Sequence, residues 1–282
     1  MRWKVGKVKI SKIVEFETVG LVDDVLPKAS AREVRKLPWL IPHFATEDGR
    51  LKMSVHALVV ETPQHRIVVD TGVGNDKEGR HDPTWNNRKG SFLDDMTAAG
   101  FAPDSIDTVI CTHLHVDHVG WNTRLRGGKW VPTFGNASYL FDRKEYEHWR
   151  DHSDTSDRRA VFNDSVQPIL EAGKATLIAS DARITDEISL IPTPGHSPGH
   201  VSVYINSDGE QAILIGDSAH HPCQMAHLDW STPYDSDPVQ SAETRRELFS
   251  RFVDTPTLFI GGHFDAGHLR RDGEAFKFVA VV

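Results

Sequence analysis

A chain of 282 residues with 39% hydrophobic side chains can bury a large core, as one big domain or two small ones. Its formal net charge of -8, from 40 acidic and 32 basic residues, argues against a nucleic-acid or anionic-membrane partner. The charged start Met1-Arg2-Trp3-Lys4 has no apolar export core and no stretch is long enough to span a bilayer, so the expected location is the cytoplasm.

In chain order, residues 3–19 read as one long strand or a hairpin, with Val5, Val8, Ile10, Ile13, Val14 and Phe16 set among lysines. Residues 20–52 are broken by Pro27, Pro38, Pro42 and Gly49, yet carry Leu37, Trp39, Leu40, Ile41 and Phe44. Such a segment is either a lid or interface, or a wrap that caps the core. Strands are expected at 54–60 and 66–70, then a polar loop through Arg88. A short helix over 91–99 has Ser91 as its N-cap and Gly100 as its stop. Residues 108–111 (Thr-Val-Ile-Cys) crowd β-branched side chains without helical spacing and predict a buried strand. Further on, strands are expected at 137–141, 174–179, 188–193, 201–205, 211–215 and 257–260. Helices are expected at 142–150, 156–172 and 237–252, and a turn at Asn206-Ser207-Asp208-Gly209. Strands in two batches, each followed by helices, fit two packed sheets with helices outside, an α/β fold.

The chemistry concentrates where strands end. The strand at 108–111 empties into His113-Leu114-His115-Val116-Asp117-His118, four metal-competent side chains within six residues. His113 and His115 alternate by two, so they can point the same way and chelate one ion; Asp117 and His118 aim at a neighbouring position. Imidazole nitrogen and carboxylate oxygen suit zinc, with Mn, Fe or Co as alternatives, and no thiolate stands at this spacing. Later strands deliver His196 in Pro194-Gly195-His196, Asp217 in Ile215-Gly216-Asp217 and His263 in Gly261-Gly262-His263. Motifs spread from His113 to His263 must converge on one site, so a single domain over 1–282 is expected. Cys111 and Cys223 make no disulfide framework; Cys111 is expected to face the sheet interior, and Cys223 to stay off the metals.

In that order, His113, His115, Asp117, His118, His196, Asp217 and His263 resemble the ligand set of the metallo-β-lactamase-fold hydrolases. Asp70-Thr71-Gly72 after Ile67-Val68-Val69 is similar to the family's Asp-Thr-Gly segment. The resemblance implies an αββα sandwich of two mixed sheets flanked by helices. It assigns His113, His115 and His196 to one ion, and Asp117, His118 and His263 to the other, with Asp217 bridging. Two ions roughly 3.5–4 Å apart would share a hydroxide nucleophile and polarise the scissile oxygen. Asp70 is expected either to hold a ligand histidine's free N–H or to cap its own turn. His200 reads as a residue that supports the site without ligating; His221, His227 and His268 read as loop or surface histidines.

His220 stands three residues after Asp217, where the related acyl-homoserine lactonases place a tyrosine that contacts the substrate carbonyl. Histidine can donate to that oxygen or protonate a leaving group, so Asp117, Asp217 and His220 are the residues expected to carry the reaction. The Asp-His pair and bridging Asp, the His-Val-Asp-His-Val-Gly-Trp-Asn stretch and the length resemble N-acyl-homoserine lactonases and methyl parathion hydrolase-like proteins. The expected function is a dinuclear metal-dependent lactonase acting on a small lactone or ester. Organophosphate or aryl ester hydrolysis is the alternative, and a non-catalytic metal-binding protein of the same fold is a third reading. A homodimer stays open.

Overall fold

The computed structural model describes residues 1–20 and 25–281, so positions 21–24 of the proline-broken segment lie outside the described residues. The chain forms two compact units, Met1–Glu15 with Val55–Ala179, and Phe16–Ser54 with Ser180–Val282. Each has its own sheet and its own core.

The first unit's sheet begins as a hairpin, β1 (Arg2–Val5) against β2 (Val8–Val19), in register Val5↔Val8. Gly6 takes φ 57 at the two-residue turn, which only glycine adopts without strain. Next come β3 (Lys52–Glu61), β4 (Arg66–Val69) and β5 (Thr108–Ile110), then a separate hairpin of β6 (Thr123–Arg126) and β7 (Lys129–Pro132), then β8 (Ser138–Asp142) and β9 (Ala175–Ile178). The sheet order is β1-β2-β3-β4-β5-β8-β9. β3 and β4 pair antiparallel, whereas β4, β5, β8 and β9 run parallel, so the sheet is mixed. Parallel neighbours are covered on both faces, and Val68, Val109, Tyr139 and Phe141 are accordingly buried. Phe92 stacks on Trp121 at 5.7 Å within the same core.

The second unit carries β10 (Ile188–Pro192), β11 (Val201–Ser207), β12 (Glu210–Leu214), β13 (Leu258–Ile260), β14 (Gly267–Asp272) and β15 (Ala275–Ala280), in sequential order. Only β12 and β13 pair parallel, joined through the 15-residue helix Pro238–Phe252. The predicted turn narrows to Asp208-Gly209, both at positive φ, which matches the twist of a two-residue hairpin. The core of this unit takes in Leu26, Leu40, Phe44 and Leu51 from the proline-broken segment, with Leu37, Trp39 and Ile41 packed against it. Phe44 lies tilted on Phe278 at 5.5 Å and is 2% exposed.

Three elements differ from expectation for identifiable reasons. The helix over 92–98 starts at Ser91, but the Ser91 hydroxyl donates to Asp95 Oδ2 instead of accepting from the backbone. The 156–172 helix is broken into Ser156–Val161, a π turn Phe162–Val166, and Gln167–Glu171. Pro168 has no N–H for the carbonyl four residues back, and that carbonyl, Asp164 O, instead accepts from Lys77 Nζ at 3.1 Å and from Thr123 Oγ1. The β6–β7 hairpin was not anticipated, because Arg124, Arg126 and Lys129 mask its short alternation. Among the described residues no helix is long and apolar enough to cross a membrane.

Candidate metal centre

In the first unit, β4 and β5 end side by side and two loops leave together. Asp70 takes φ 57 just past β4, and its amide still donates to Ile110 O at 2.9 Å. Its carboxylate is fully used. Oδ1 accepts from Thr112 N at 2.8 Å, and Oδ2 accepts from Thr112 Oγ1 at 2.8 Å and lies 2.9 Å from His118 Nδ1. Of the two roles open to Asp70, the geometry selects the histidine anchor. Because the Thr112 hydroxyl donates to Asp70, its oxygen is left to accept from His113 Nδ1 at 3.0 Å. That leaves the His113 Nε2 lone pair inward, 3.0 Å from His115 Nδ1. The His113 and His118 rings lie 4.1 Å apart, and Asp117 Oδ1 is 3.7 Å from His118 Nε2. Thus His113, His115, Asp117 and His118 gather on one loop and its short helix Val116–Val119.

Packing holds that loop. Gly120 N donates to Gly72 O at 2.7 Å, and a Cβ on Gly120 would lie 1.9 Å from the Val73 carbonyl carbon, so the Asp-Thr-Gly turn admits only glycine there. Glu15 accepts from Val73 N, Gly74 N and Trp121 Nε1, while its burial raises the carboxyl pKa. Glu145 Oε1 accepts from Leu114 N, between the two histidines, at 3.0 Å and from Trp149 Nε1 at 2.6 Å. Sequence reasoning missed Glu145, because Asp142-Arg143-Lys144-Glu145 reads as a helix capping box; Asp142 does cap Glu145 N, but the Glu145 side chain goes to the ligand loop.

In the second unit, β12 leads into Gly216-Asp217-Ser218, with Asp217 buried. Its amide donates to His200 Nε2 at 2.9 Å, which fixes the His200 proton on Nδ1, 2.8 Å from Thr193 Oγ1. His200 therefore supports Asp217 from behind without ligating. Three imidazoles face the Asp217 carboxylate: His196 Nε2 at 3.6 Å and His220 Nε2 at 3.2 Å from Oδ2, and His263 Nε2 at 3.2 Å from Oδ1 and 3.3 Å from Oδ2. The ligating atoms of His196, Asp217 and His220 all lie within 4.8 Å of one another, and all three residues are buried. A Cβ on Gly262 would fall 2.6 Å from Asp217 Oδ1, which accounts for the glycine before His263.

The other ring nitrogens of these histidines are not treated alike. His263 Nδ1 is 3.1 Å from Ser54 O, and His196 Nδ1 is 2.9 Å from Asp235 Oδ1. His220 Nδ1 is buried without a hydrogen-bond partner among the described residues. Its backbone is held by Gln224, whose Oε1 accepts from His220 N at 2.7 Å. Burial raises the Asp235 carboxyl pKa. No motif had pointed to Asp235 or Gln224: Asp235 stands in a loop and Gln224 in the four-residue helix Cys223–Ala226, too short to show a periodicity.

The remaining histidines and the cysteines lie elsewhere. His221 Nε2 donates to Phe44 O at 2.9 Å and its Nδ1 accepts from Cys223 N, so the ring is neutral, and burial drives its pKa down to about 4. His227 stacks on Trp230, and His268 Nδ1 meets Thr257 O. Both thiols are buried and pushed up by desolvation, with Cys111 inside the first core beside Asn122. The donor set is thus imidazoles and carboxylates with no thiolate, which fits zinc or a similar divalent first-row ion.

The metallo-beta-lactamase superfamily model matches residues 51–263, most of the chain. The chain belongs to this superfamily. Its fold is the metallo-β-lactamase fold, two mixed sheets with flanking helices. Among curated relatives, an N-acyl homoserine lactonase of Bacillus thuringiensis is 28% identical over 178 residues, 58% of this chain and 63% of the relative. The chain therefore spans under two thirds of that relative's length. Among solved structures, hydrolase AbOPH of the beta lactamase superfamily aligns with a TM-score of 0.80 at 22% identity, covering 100% of this chain and 97% of that one. AidC, a dizinc quorum-quenching lactonase in complex with a homoserine product, aligns at 0.77 with 21% identity, covering 100% and 97%. At those identities the structural matches carry the fold alone. Its buried His/Asp clusters are consistent with a metal site.

Proposed function

We propose that the two ligand clusters serve one dinuclear centre within a single hydrolase domain, and that this centre opens N-acyl-homoserine lactones or related lactones. The observation that carries the reading is Asp217: one buried carboxylate on which three imidazoles converge, His196 and His220 at Oδ2 and His263 across both oxygens, 3.2 Å from Oδ1 and 3.3 Å from Oδ2. A carboxylate so placed suits a bridge between two ions. His113, His115 and His196 are assigned to one ion, and Asp117, His118 and His263 to the other, as the order of the motifs in the family suggests. Two bound divalent ions would supply Lewis acidity and a water-derived nucleophile at neutral pH.

The protein's own residues then divide the work. Asp117 and Asp217 contribute the negative charge that keeps the ions in place. His220 is assigned to the substrate: its Nε2 faces the Asp217 carboxylate, and its Nδ1 lacks the anchor that His196 and His263 have. A ring held at one nitrogen only can turn to donate to the ester carbonyl oxygen, or to protonate the alkoxide as the lactone C–O bond breaks. The lactonase relatives in the family support the substrate class. Organophosphate or aryl ester turnover is the competing activity, and metal binding without turnover the non-catalytic reading. Elemental analysis, followed by turnover of graded lactones, aryl esters and paraoxon-type triesters with and without chelator, separates the three. Two ions per chain with chelator-sensitive lactone turnover is the expected result.

A further inference from the structure

We propose that Asp235 is the positioning residue of His196, holding its Nδ1–H so that the Nε2 lone pair is presented toward Asp217. The inference rests on the metal-centre reading and concerns a residue outside the ligand set. Its basis is local to the second unit. Asp235 Oδ1 lies 2.9 Å from His196 Nδ1, and both side chains are almost wholly buried. The contact is not a chance meeting of side chains, because the two segments are stitched together by backbone. Ser236 N donates to His196 O and Asp237 N donates to Gly195 O, each at 2.9 Å. Asp237 then caps the helix Pro238–Phe252 by accepting from Val239 N and Gln240 N. Gly195 sits at φ 129, and a Cβ there would lie 2.3 Å from Ser241 N, so the His196 loop can press onto the helix start only with glycine at this point.

Arg245 is fully buried on the same helix, donates to Ser241 Oγ at 2.8 Å and to Ser218 O at 3.2 Å, and acts electrostatically on Asp235. An ionised acceptor at Nδ1 selects one tautomer of His196 and raises the basicity of Nε2, which strengthens a metal bond. In the first unit Asp70 stands in the same relation to His118. The motif that carries Asp70 was visible in the sequence; Asp235, 39 residues beyond its partner, was not.

The test uses the full-length, zinc-loaded chain. Zinc retention is measured against graded chelator for the wild type, D235A and D235N, and the proton on His196 is located by nitrogen-15 spectra of histidine-labelled protein. The expected result is a roughly 10- to 100-fold weaker retention in D235A, the range for losing such a partner of a ligand. D235N, whose amide oxygen can still accept from Nδ1–H, should recover most of it. Wild-type His196 should carry its proton on Nδ1. Wild-type retention in D235A, or a wild-type His196 with Nδ1 bare, would overturn the proposal. Should D235A not fold, the wild-type spectrum alone decides. A wild-type chain that never retains zinc would instead overturn the metal-centre reading.

Discussion

Asp217 and His220 are three residues apart and face each other at 3.2 Å, yet their predicted roles differ because their anchoring differs. The Asp217 amide is tied to His200, and its carboxylate lies so near Gly262 that a Cβ there would fall 2.6 Å from Oδ1. As the proposed bridge it serves both ions, and Asp217→Ala should lower metal content more than loss of any single histidine. Elemental analysis of the variant series checks this; His263→Ala or His196→Ala retaining less metal than Asp217→Ala would contradict it. His220 has a fixed backbone and an unanchored Nδ1. His220→Ala should therefore lower kcat about ten- to a thousandfold, the range for losing one acid or oxyanion donor, with metal content unchanged. Unchanged kcat would reduce His220 to a bystander, and lost metal would make it a ligand. The next residue, His221, is neutral because burial holds its pKa near 4, below the ordinary 6.5. The sign follows: its contribution to stability is complete above pH 6.5 and is lost as pH falls from there toward 4. The full swing is on the order of 3 kcal/mol. His221→Gln, which keeps a donor for Phe44 O, should flatten that limb of the stability profile in denaturant unfolding; a variant as acid-sensitive as the wild type would contradict it.

At the scale of elements, the proline-broken segment shows what pattern reading can and cannot supply. Its apolar residues were legible, but not their partners. Phe44 is wedged against Phe264 and Phe278 and receives His221 at its carbonyl, so it belongs to the second core. Phe44→Ala should cost about 3–5 kcal/mol of stability, with KM affected equally for short and long acyl chains. Trp39 is only half-buried against that core, which leaves part of its ring open to a substrate chain. Trp39→Ala should raise KM for long-chain lactones more than for short ones, by up to about 0.8 kcal/mol per CH₂ that loses its contact. Equal effects at all chain lengths would make Trp39 structural as well. Elsewhere, strands were readable where β-branched runs end in turn residues, as at Thr108-Val109-Ile110 and at Asp208-Gly209. The candidate site was readable wherever a metal-competent residue follows such a strand. What escaped were groups that act across long separations, Glu145 on Leu114 N and Asp235 on His196, since no local spacing encodes those contacts. The break at Phe162–Val166 was missed for a different reason: Pro168 stood in plain view, but the acceptor it frees is claimed by Lys77, 87 residues earlier.

At the scale of the whole molecule, two units with separate cores each bring metal-competent side chains to the ends of their strands: His113, His115, Asp117 and His118 in one, and His196, Asp217 and His263, with His220 beside them, in the other. The superfamily fixes the fold, while under the proposed metal-centre reading the choice of substrate rests on which transition state the centre stabilises. An acyl reaction passes through a tetrahedral carbon that needs an oxyanion donor, and His220 is assigned to that task. A phosphoryl reaction passes through an in-line arrangement that the same donor would only tolerate. The most direct test is kcat/KM of the metal-loaded chain across lactones of graded acyl length and paraoxon-type triesters, with chelated protein as control. The account predicts that the best lactone exceeds the best triester by at least about a hundredfold, some 2.7 kcal/mol of barrier, and that chelation abolishes both. Triester turnover equal to or above every lactone would contradict it.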